Sequence, residues 1–283
     1  MSIKKALKII HPSYQKIILD YKINSIPRNN QLGTGNQFLF DIINKNRNSY
    51  KNLLNGFLNH KEIFTSIKKK EVENNPNQPC YNNEFLPGLD IVALYGMIAQ
   101  FKPKQYIEIG SGNSTKVAHK AIKDLNLKSK IISIDPYPRA EIDHLADCVI
   151  REPVENLSDL SIIDLLEEND ILFIDNSHRS FPNSDVTICF LEILPRLKKG
   201  VIIHIHDIYL PFDYPKIMCD RYYNEQYLLA CLLLGGNTNY DILLPNFFIS
   251  SDNDLSKILS PIWEHPNLKN VETHGGSFWL VKK

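Results

Sequence analysis

No stretch of this chain approaches the roughly 20 consecutive apolar residues that a membrane-spanning helix needs, and no membrane partner is expected. Charge of one sign is also missing. Lysine plus arginine number 32 and aspartate plus glutamate 32, a formal net charge of +0. A chain with no basic excess gives no electrostatic case for nucleic acid. Cys80, Cys148, Cys189, Cys219 and Cys231 are scattered and form no C-x-x-C pair. That odd, dispersed set argues against a zinc or disulfide framework and for a reducing compartment. Met1 to Tyr14 has no signal-peptide core, so the expected location is the cytoplasm. Internal repeats are absent. What is present, 283 residues of which 43% are hydrophobic, suffices for one large domain or a domain with an appendage.

The stretch that organises the chain is Gln105 to Thr115. Tyr106 to Ile109 is a short apolar run, β-branched and aromatic in character, and reads as a buried strand. Gly110 and Gly112 follow at once and allow a tight turn with bare backbone exposed to a ligand. Asn113, Ser114 and Thr115 can cap a helix, and Val117, Ala118, Ala121, Ile122 and Leu125 recur at helical spacing. Strand, glycine turn and helix together favour an anionic group at the free N–H groups of the helix start. A dinucleotide fingerprint needs a third glycine, and Thr115 stands at that position.

Along the chain, residues 1–84 read as a mainly helical N-terminal extension or cap, with amphipathic helices between Ile42 and Phe64 and a solvated helix face at Lys68 to Glu71. Residues 85–283 read as the main domain. A helix opens at Asp90. Strands are expected at Lys130 to Ile134, Cys148 to Arg151, Ile171 to Ile174 and Val201 to Asp207, with two more at Tyr240 to Leu244 and Ser277 to Val281. Helices are expected around Leu160 to Leu166, Asp185 to Arg196 and Arg221 to Leu234. The alternation demands an α/β fold: a Rossmann-like seven-stranded sheet, mostly parallel, with helices on both faces. Two late strands without a full crossover helix fit an antiparallel last strand.

Ligands of such sheets bind beyond the carboxyl ends of the strands. Those ends carry Glu108, Asp135, Asp175 with His178, and His206 with Asp207. Asp135 lies about 20 residues past the glycines, where a carboxylate can accept hydrogen bonds from ribose hydroxyls. His204 shares a face with His206 but lies deeper and reads as a core histidine. For His178, a structural hydrogen bond to Asp185 competes with a catalytic role. Tyr209, Phe212 and Tyr214 fit either an acceptor pocket or packing against the next helix, and Asp213 or Glu225 could bind acceptor hydroxyls.

Four motifs in order, Glu-Ile-Gly-Ser-Gly-Asn-Ser-Thr, Ile-Asp-Pro, Phe-Ile-Asp-Asn-Ser-His and Gly-Val-Ile-Ile-His-Ile-His-Asp, resemble the class I S-adenosylmethionine-dependent methyltransferases, in the bacterial small-molecule O-methyltransferase branch. The resemblance covers most of residues 87 to 245. It implies S-adenosylmethionine as cofactor, held by Glu108, Gly110, Ser111, Gly112, Asn113, Ser114, Thr115, Asp135 and Asp175. Glu108 would lie near the cofactor's ammonium group. Metal-dependent relatives hold magnesium with an acid after strand four and a pair after strand five. Here those positions are Asp175, His206 and Asp207. A histidine there weakens magnesium, which prefers oxygen, and leaves a softer metal or no metal open. Without a metal, His178 or His206 is the candidate base beside Asp175. The expected reaction is methyl transfer to a hydroxyl of a small-molecule acceptor, such as a sugar or secondary metabolite. A nicotinamide-dependent oxidoreductase and a non-catalytic cofactor-binding module are the alternatives, and a homo-oligomer is left open for the protein.

Overall fold

The computed structural model describes residues 17–28, 33–138, 140–236 and 239–283. The leader reading for Met1 to Tyr14 lies outside the described residues. Seven strands form one sheet: β1 (Gln105–Ile109), β2 (Lys130–Ile134), β3 (Cys148–Ile150), β4 (Ile171–Ile174), β5 (Ile202–Ile205), β6 (Tyr240–Pro245) and β7 (Phe278–Lys282). Their order is β3-β2-β1-β4-β5-β7-β6. β1 to β5 pair in parallel, and β7 runs antiparallel to both β5 and β6. The expected Rossmann-like sheet with an antiparallel last strand is therefore the one observed. The central strands are continuous apolar runs because helices cover both faces. β4 and β5 are buried at every position.

Helices α1 (Gln37–Asn44), α2 (Arg47–Phe57) and α3 (Lys61–Ser66) precede α4 (Gly88–Phe101) and α5 (Asn113–Asp124). Leu39, Ile43, Tyr50, Leu54, Phe57 and Phe64 share one continuous core with the sheet. The segment before residue 85 is thus built into the same packed body. α4 is apolar nearly all round and is buried from Gly88 to Ile98, as expected of a helix with no solvent face. α2 presses so closely on it that a Cβ at Gly96 would lie 2.3 Å from the Phe57 ring.

Several local expectations change. Lys68 to Glu71 forms no helix; Lys69 bridges to Tyr81 in extended pairing and the chain then turns. Leu160 to Leu166 makes only a 3-10 segment (Ser161–Leu165), since Asp159 turns its carboxylate onto the Ser161 N–H at 2.8 Å and tightens the start. The helix placed at 221–234 begins at Glu225, and a short one (Lys216–Cys219) precedes it. Among the described residues, no helix is long and apolar enough to cross a membrane.

At the carboxyl rim the ladder runs one residue past each strand. Asp135 N–H donates to Ile150, Gly110 to Ile134, Asp175 to Ile109 and His206 to Ile174, at 2.8 to 3.1 Å. These bonds hold the four rim positions level. Deeper in the sheet, Phe173, His204 and Trp279 stand in register across β4, β5 and β7. The His204 ring stacks on Phe173 at 3.8 Å, meets Trp279 at 4.7 Å and bonds the Ser277 hydroxyl at 2.7 Å. Burial holds His204 well below the usual imidazole range. It is the neutral core histidine its depth implied.

Candidate active site

The glycine turn is built from its own side chains. Gly110 has φ 84°, and a Cβ there would lie 1.8 Å from the Asp175 carbonyl oxygen. β1 and β4 therefore converge only because position 110 has no side chain. Gly112 N–H donates to Thr115 Oγ1 at 3.0 Å, and that hydroxyl donates to Glu108 Oε1 at 2.5 Å. Ser114 Oγ donates to Glu108 Oε2 at 3.1 Å, and Tyr106 lies 3.4 Å from the same oxygen. Glu108 is fully enclosed. Burial pushes its carboxyl up to about 8, with Thr115 and Ser114 offsetting part of the effect. Asp135 does the corresponding work outside, accepting from Ser111 N–H at 2.8 Å and Tyr137 N–H at 2.8 Å.

Above this loop lies a cavity of about 290 Å³, near the lower end of the size range of small-molecule sites. Ser111, Gly112, Asn113, Ser114 and Asp175 line it from the sheet side. A Cβ at Gly112 would meet no atom within 4 Å, so the loop backbone faces open space. The opposite wall comes from before β1: Lys70, Glu73, Asn75, Cys80, Asn83, Phe85 and Leu86. Asn83 ties the two walls, accepting from Asn113 Nδ2 at 3.0 Å and from Leu86 N–H at 2.7 Å. The expected cofactor residues thus fall into two groups. Ser111, Gly112, Asn113, Ser114 and Asp175 reach the cavity, whereas Glu108, Gly110, Thr115 and Asp135 shape the loop from behind or beside. Thr115 is fully buried with its hydroxyl committed at both ends, so it serves the loop and offers a ligand nothing.

Asp175 joins the cavity to a buried cluster of acids and imidazoles. His178 Nε2 lies 3.3 Å from Asp175 Oδ1 and 3.4 Å from Asp207 Oδ2, and its Nδ1 lies 2.9 Å from Glu225 Oε2. His206 Nδ1 lies 3.5 Å from Asp207 Oδ1 and 3.8 Å from Asp175 Oδ1, with Nε2 3.3 Å from Asp90 Oδ2. Burial alone would lower both imidazoles. The surrounding carboxylates outweigh it, raising His178 well above its ordinary range and His206 to about 9. Both rings are thereby pushed toward the protonated form. His178 and Asp207 also hold φ of 60° and 54°, a left-handed backbone that is stored where surrounding structure enforces it.

Asp90 and Glu225 complete the cluster, and neither was assigned to it from sequence. Asp90 is fully buried. It accepts from Gly276 N–H at 2.7 Å, Ser277 N–H at 3.0 Å and Asn246 Nδ2 at 2.7 Å. Burial opposes its ionisation, but His206 and these donors hold it below the usual carboxylate range. The signal was a lone acid in an otherwise apolar helix, which needs a buried partner. Asp185, the structural partner weighed for His178, instead accepts from Ser177 N–H at 2.7 Å and Ser177 Oγ at 2.6 Å. The left-handed turn at His178 sends its ring toward Glu225.

Asp175, His206 and Asp207 are brought together, yet they do not fit the metal centre expected of them. Among the described residues, no group of three or more His, Cys, Asp or Glu is arranged to hold a metal. The His178 ring occupies the gap between the two carboxylates. Of the two readings for the aromatics after β5, packing is the one observed. Tyr209 and Tyr214 are buried in a small core with Cys219 and Tyr223, and Phe212 packs edge-on against Phe247. Asp213 accepts from Arg28 N–H at 3.0 Å and Tyr227 Oη at 2.5 Å, which straps the N-terminal segment to this loop.

Comparison with known proteins bears on this rim. Residues 107–208 match the family model of a methyltransferase domain. An uncharacterized protein of Archaeoglobus fulgidus is 35% identical over 94 residues, 31% of this chain and 42% of that protein. The chain therefore spans less than half the length of that relative. Among solved structures, the SAH-bound methyltransferase PaMTH1 of Podospora anserina is similar at 16% identity, with a TM-score of 0.44 over 81% of this chain and 88% of the other. The plantazolicin methyltransferase BpumL in complex with SAH is similar at 18% identity, with a TM-score of 0.39 over 67% and 80%. The matched segment runs from within β1 to just past β5 and includes the glycine loop, Asp175, His178, His206 and Asp207. The likeness to a methyltransferase domain thus rests on the sequence of residues 107–208.

Proposed function

We propose that the protein is an S-adenosylmethionine-dependent methyltransferase that acts on a hydroxyl of a small molecule. The observation that carries this reading is the cavity between the glycine loop and the 70–86 segment, with Asp175 on its lining and the two imidazole rings of His178 and His206 behind it. The donor set suits the cofactor. Bare backbone at Gly112 leaves room, and Asn113 and Ser114 begin α5, whose free N–H groups favour a carboxylate. When bound, S-adenosylmethionine supplies an electrophilic methyl group on a sulfonium. The chain's part is to align the acceptor oxygen and take its proton. Asp175 is the group placed for the proton, because it alone of the cluster lines the cavity. His178 and His206 already carry their protons and orient Asp175 instead of acting as bases. Phe85 and Leu86 supply the apolar part of the lining, and residues 70–86 act as a wall that limits the acceptor to a small molecule. Five free cysteines agree with a reducing compartment.

The test is calorimetric titration of the purified protein with S-adenosylhomocysteine (SAH), with NAD as control. Binding of S-adenosylhomocysteine that is weakened by Gly112→Val is expected. Folded protein that binds NAD and ignores S-adenosylhomocysteine would sink the reading. Methyl transfer to amines but not alcohols in an acceptor screen would overturn the hydroxyl assignment alone.

A further inference from the structure

Acids gathered at one rim call for a cation, and the structure shows which group answers. His178 is buried, with a relative exposure of 3%. One of its nitrogens faces Asp175 and Asp207, at 3.3 and 3.4 Å, and the other faces Glu225 at 2.9 Å. A neutral imidazole carries one N–H and one lone pair. Whichever nitrogen held the lone pair would then point it at a carboxylate oxygen. With Asp175, Asp207 and Glu225 ionised, only the doubly protonated ring satisfies both sides. The demand for positive charge is strong, because carboxylates withdrawn from water remain ionised only if paired. Glu225 is fully buried and, among the described residues, its Oε1 has no hydrogen-bond partner, so its compensation comes through Oε2.

The nearby guanidinium groups do not supply that charge. Arg179 and Arg221 lie over the ring of Tyr223, at 5.0 and 4.7 Å, and Tyr223 in turn packs on His178 at 4.7 Å. Arg179 donates to the Ser177 and Arg221 carbonyl oxygens. His206 faces the same two aspartates from the other side, but its second nitrogen is turned to Asp90. That leaves His178 as the positive group set directly between the ends of β4 and β5.

We propose that the His178 imidazolium is the resident cation of this rim, occupying the position between Asp175 and Asp207 that a divalent ion would otherwise take, so that the protein needs no metal there and excludes one. The inference concerns the charge balance of the rim and stands whether or not methyl transfer is the reaction. Its test is accordingly independent of activity. The full-length protein is titrated with Mn²⁺ and the free-ion signal followed by electron paramagnetic resonance. Wild type is expected to leave that signal unchanged. His178→Gly, which empties the gap while leaving the carboxylates, is expected to take up Mn²⁺, and Asp207→Asn in that background is expected to abolish the uptake. Millimolar imidazole is expected to displace the ion from the His178→Gly variant. Mn²⁺ uptake by wild type that is lost in Asp175→Asn or Asp207→Asn would overturn the proposal, as would a folded His178→Gly variant that takes up none.

A second measurement needs no variant of the folded core. Ring-nitrogen chemical shifts of ¹⁵N-histidine-labelled wild type at about pH 8, above the ordinary imidazole range, are expected to show His178 with both nitrogens protonated. A neutral ring at that pH would overturn the proposal by itself.

Discussion

Gly110 and Gly112 lie two residues apart in one loop, yet adding a methyl group to each should fail in different ways. At Gly110 two costs combine. Its φ of 84° charges an L-residue about 1 to 2 kcal/mol. The new Cβ would also lie 1.8 Å from the Asp175 carbonyl oxygen, which is backbone and cannot rotate aside. Separating the ends of β1 and β4 enough to admit it costs on the order of 1 to 3 kcal/mol, by analogy with overpacked cores. The sum, roughly 2 to 5 kcal/mol, is a large part of the roughly 5 to 15 kcal/mol that typical domains possess. At Gly112 the Cβ meets nothing within 4 Å, so only the backbone term remains, about 1 to 3 kcal/mol. That methyl group would project into the cavity instead. Urea unfolding should therefore shift more for Gly110→Ala than for Gly112→Ala. Calorimetric titration with S-adenosylhomocysteine should show a loss of about tenfold or more for the folded Gly112→Ala protein, equivalent to about 1.4 kcal/mol. A Gly110→Ala protein with the wild-type urea midpoint would refute the contact with Asp175. Equal destabilisation by both substitutions would refute the distinction between wall and seam.

Three further outcomes are expected. His206 is raised from 6.5 to about 9 on folding, so its contribution to stability is full below pH 6.5 and is lost as pH rises through 9; Asp90→Asn should cost about 3 to 5 kcal/mol at neutral pH as a broken buried pair and should flatten that decline in chemical denaturation, and an unchanged pH profile would refute the pairing. Glu108 is raised from 4.5 to about 8 by burial, so its neutral form is the favoured one and stability falls as pH climbs from 4.5 through 8; Glu108→Gln should lose little at neutral pH and gain on wild type above pH 8, whereas a large loss at neutral pH would mean the carboxylate charge itself is needed. Asp213→Ala should speed limited proteolysis within residues 17–28, since Arg28 N–H and Tyr227 lose their acceptor, and unaltered cleavage would show that other contacts hold the strap.

The sheet was legible because its strands are short apolar runs, and β1, β2, β4 and β5 are closed by Gly110, Asp135, Asp175 and His206. The four rim positions follow from that alone, since a strand's last residue and its successor must face the carboxyl edge. Side-chain direction at the rim was not legible. His178 was placed near Asp175 correctly, but its partner depends on a left-handed turn that nothing in Asp-Asn-Ser-His announces. Glu225 lies 47 residues downstream of His178. No local spacing pairs them. The position of the His178 ring was hidden for the same reason, because three candidate ligands in the right order say nothing about a fourth side chain filling the gap between them. The 70–86 wall has no periodicity at all. It is a loop whose place is set by Asn83 reaching Asn113, a contact between two polar residues of the commonest loop type.

The stacked column of Phe173, His204 and Trp279 has an optical consequence. The chain has only two tryptophans. Trp279 is fully buried against His204, whose ring centroid lies 5.6 Å from that of His206. The indole thus stands two rings away from a charged group of the rim, with no solvent around it. Its emission should be blue-shifted, and its intensity should follow the charge on His206, since imidazolium and imidazole quench differently. The fold therefore contains a native fluorophore that reads the rim's electrostatics from within, without a label.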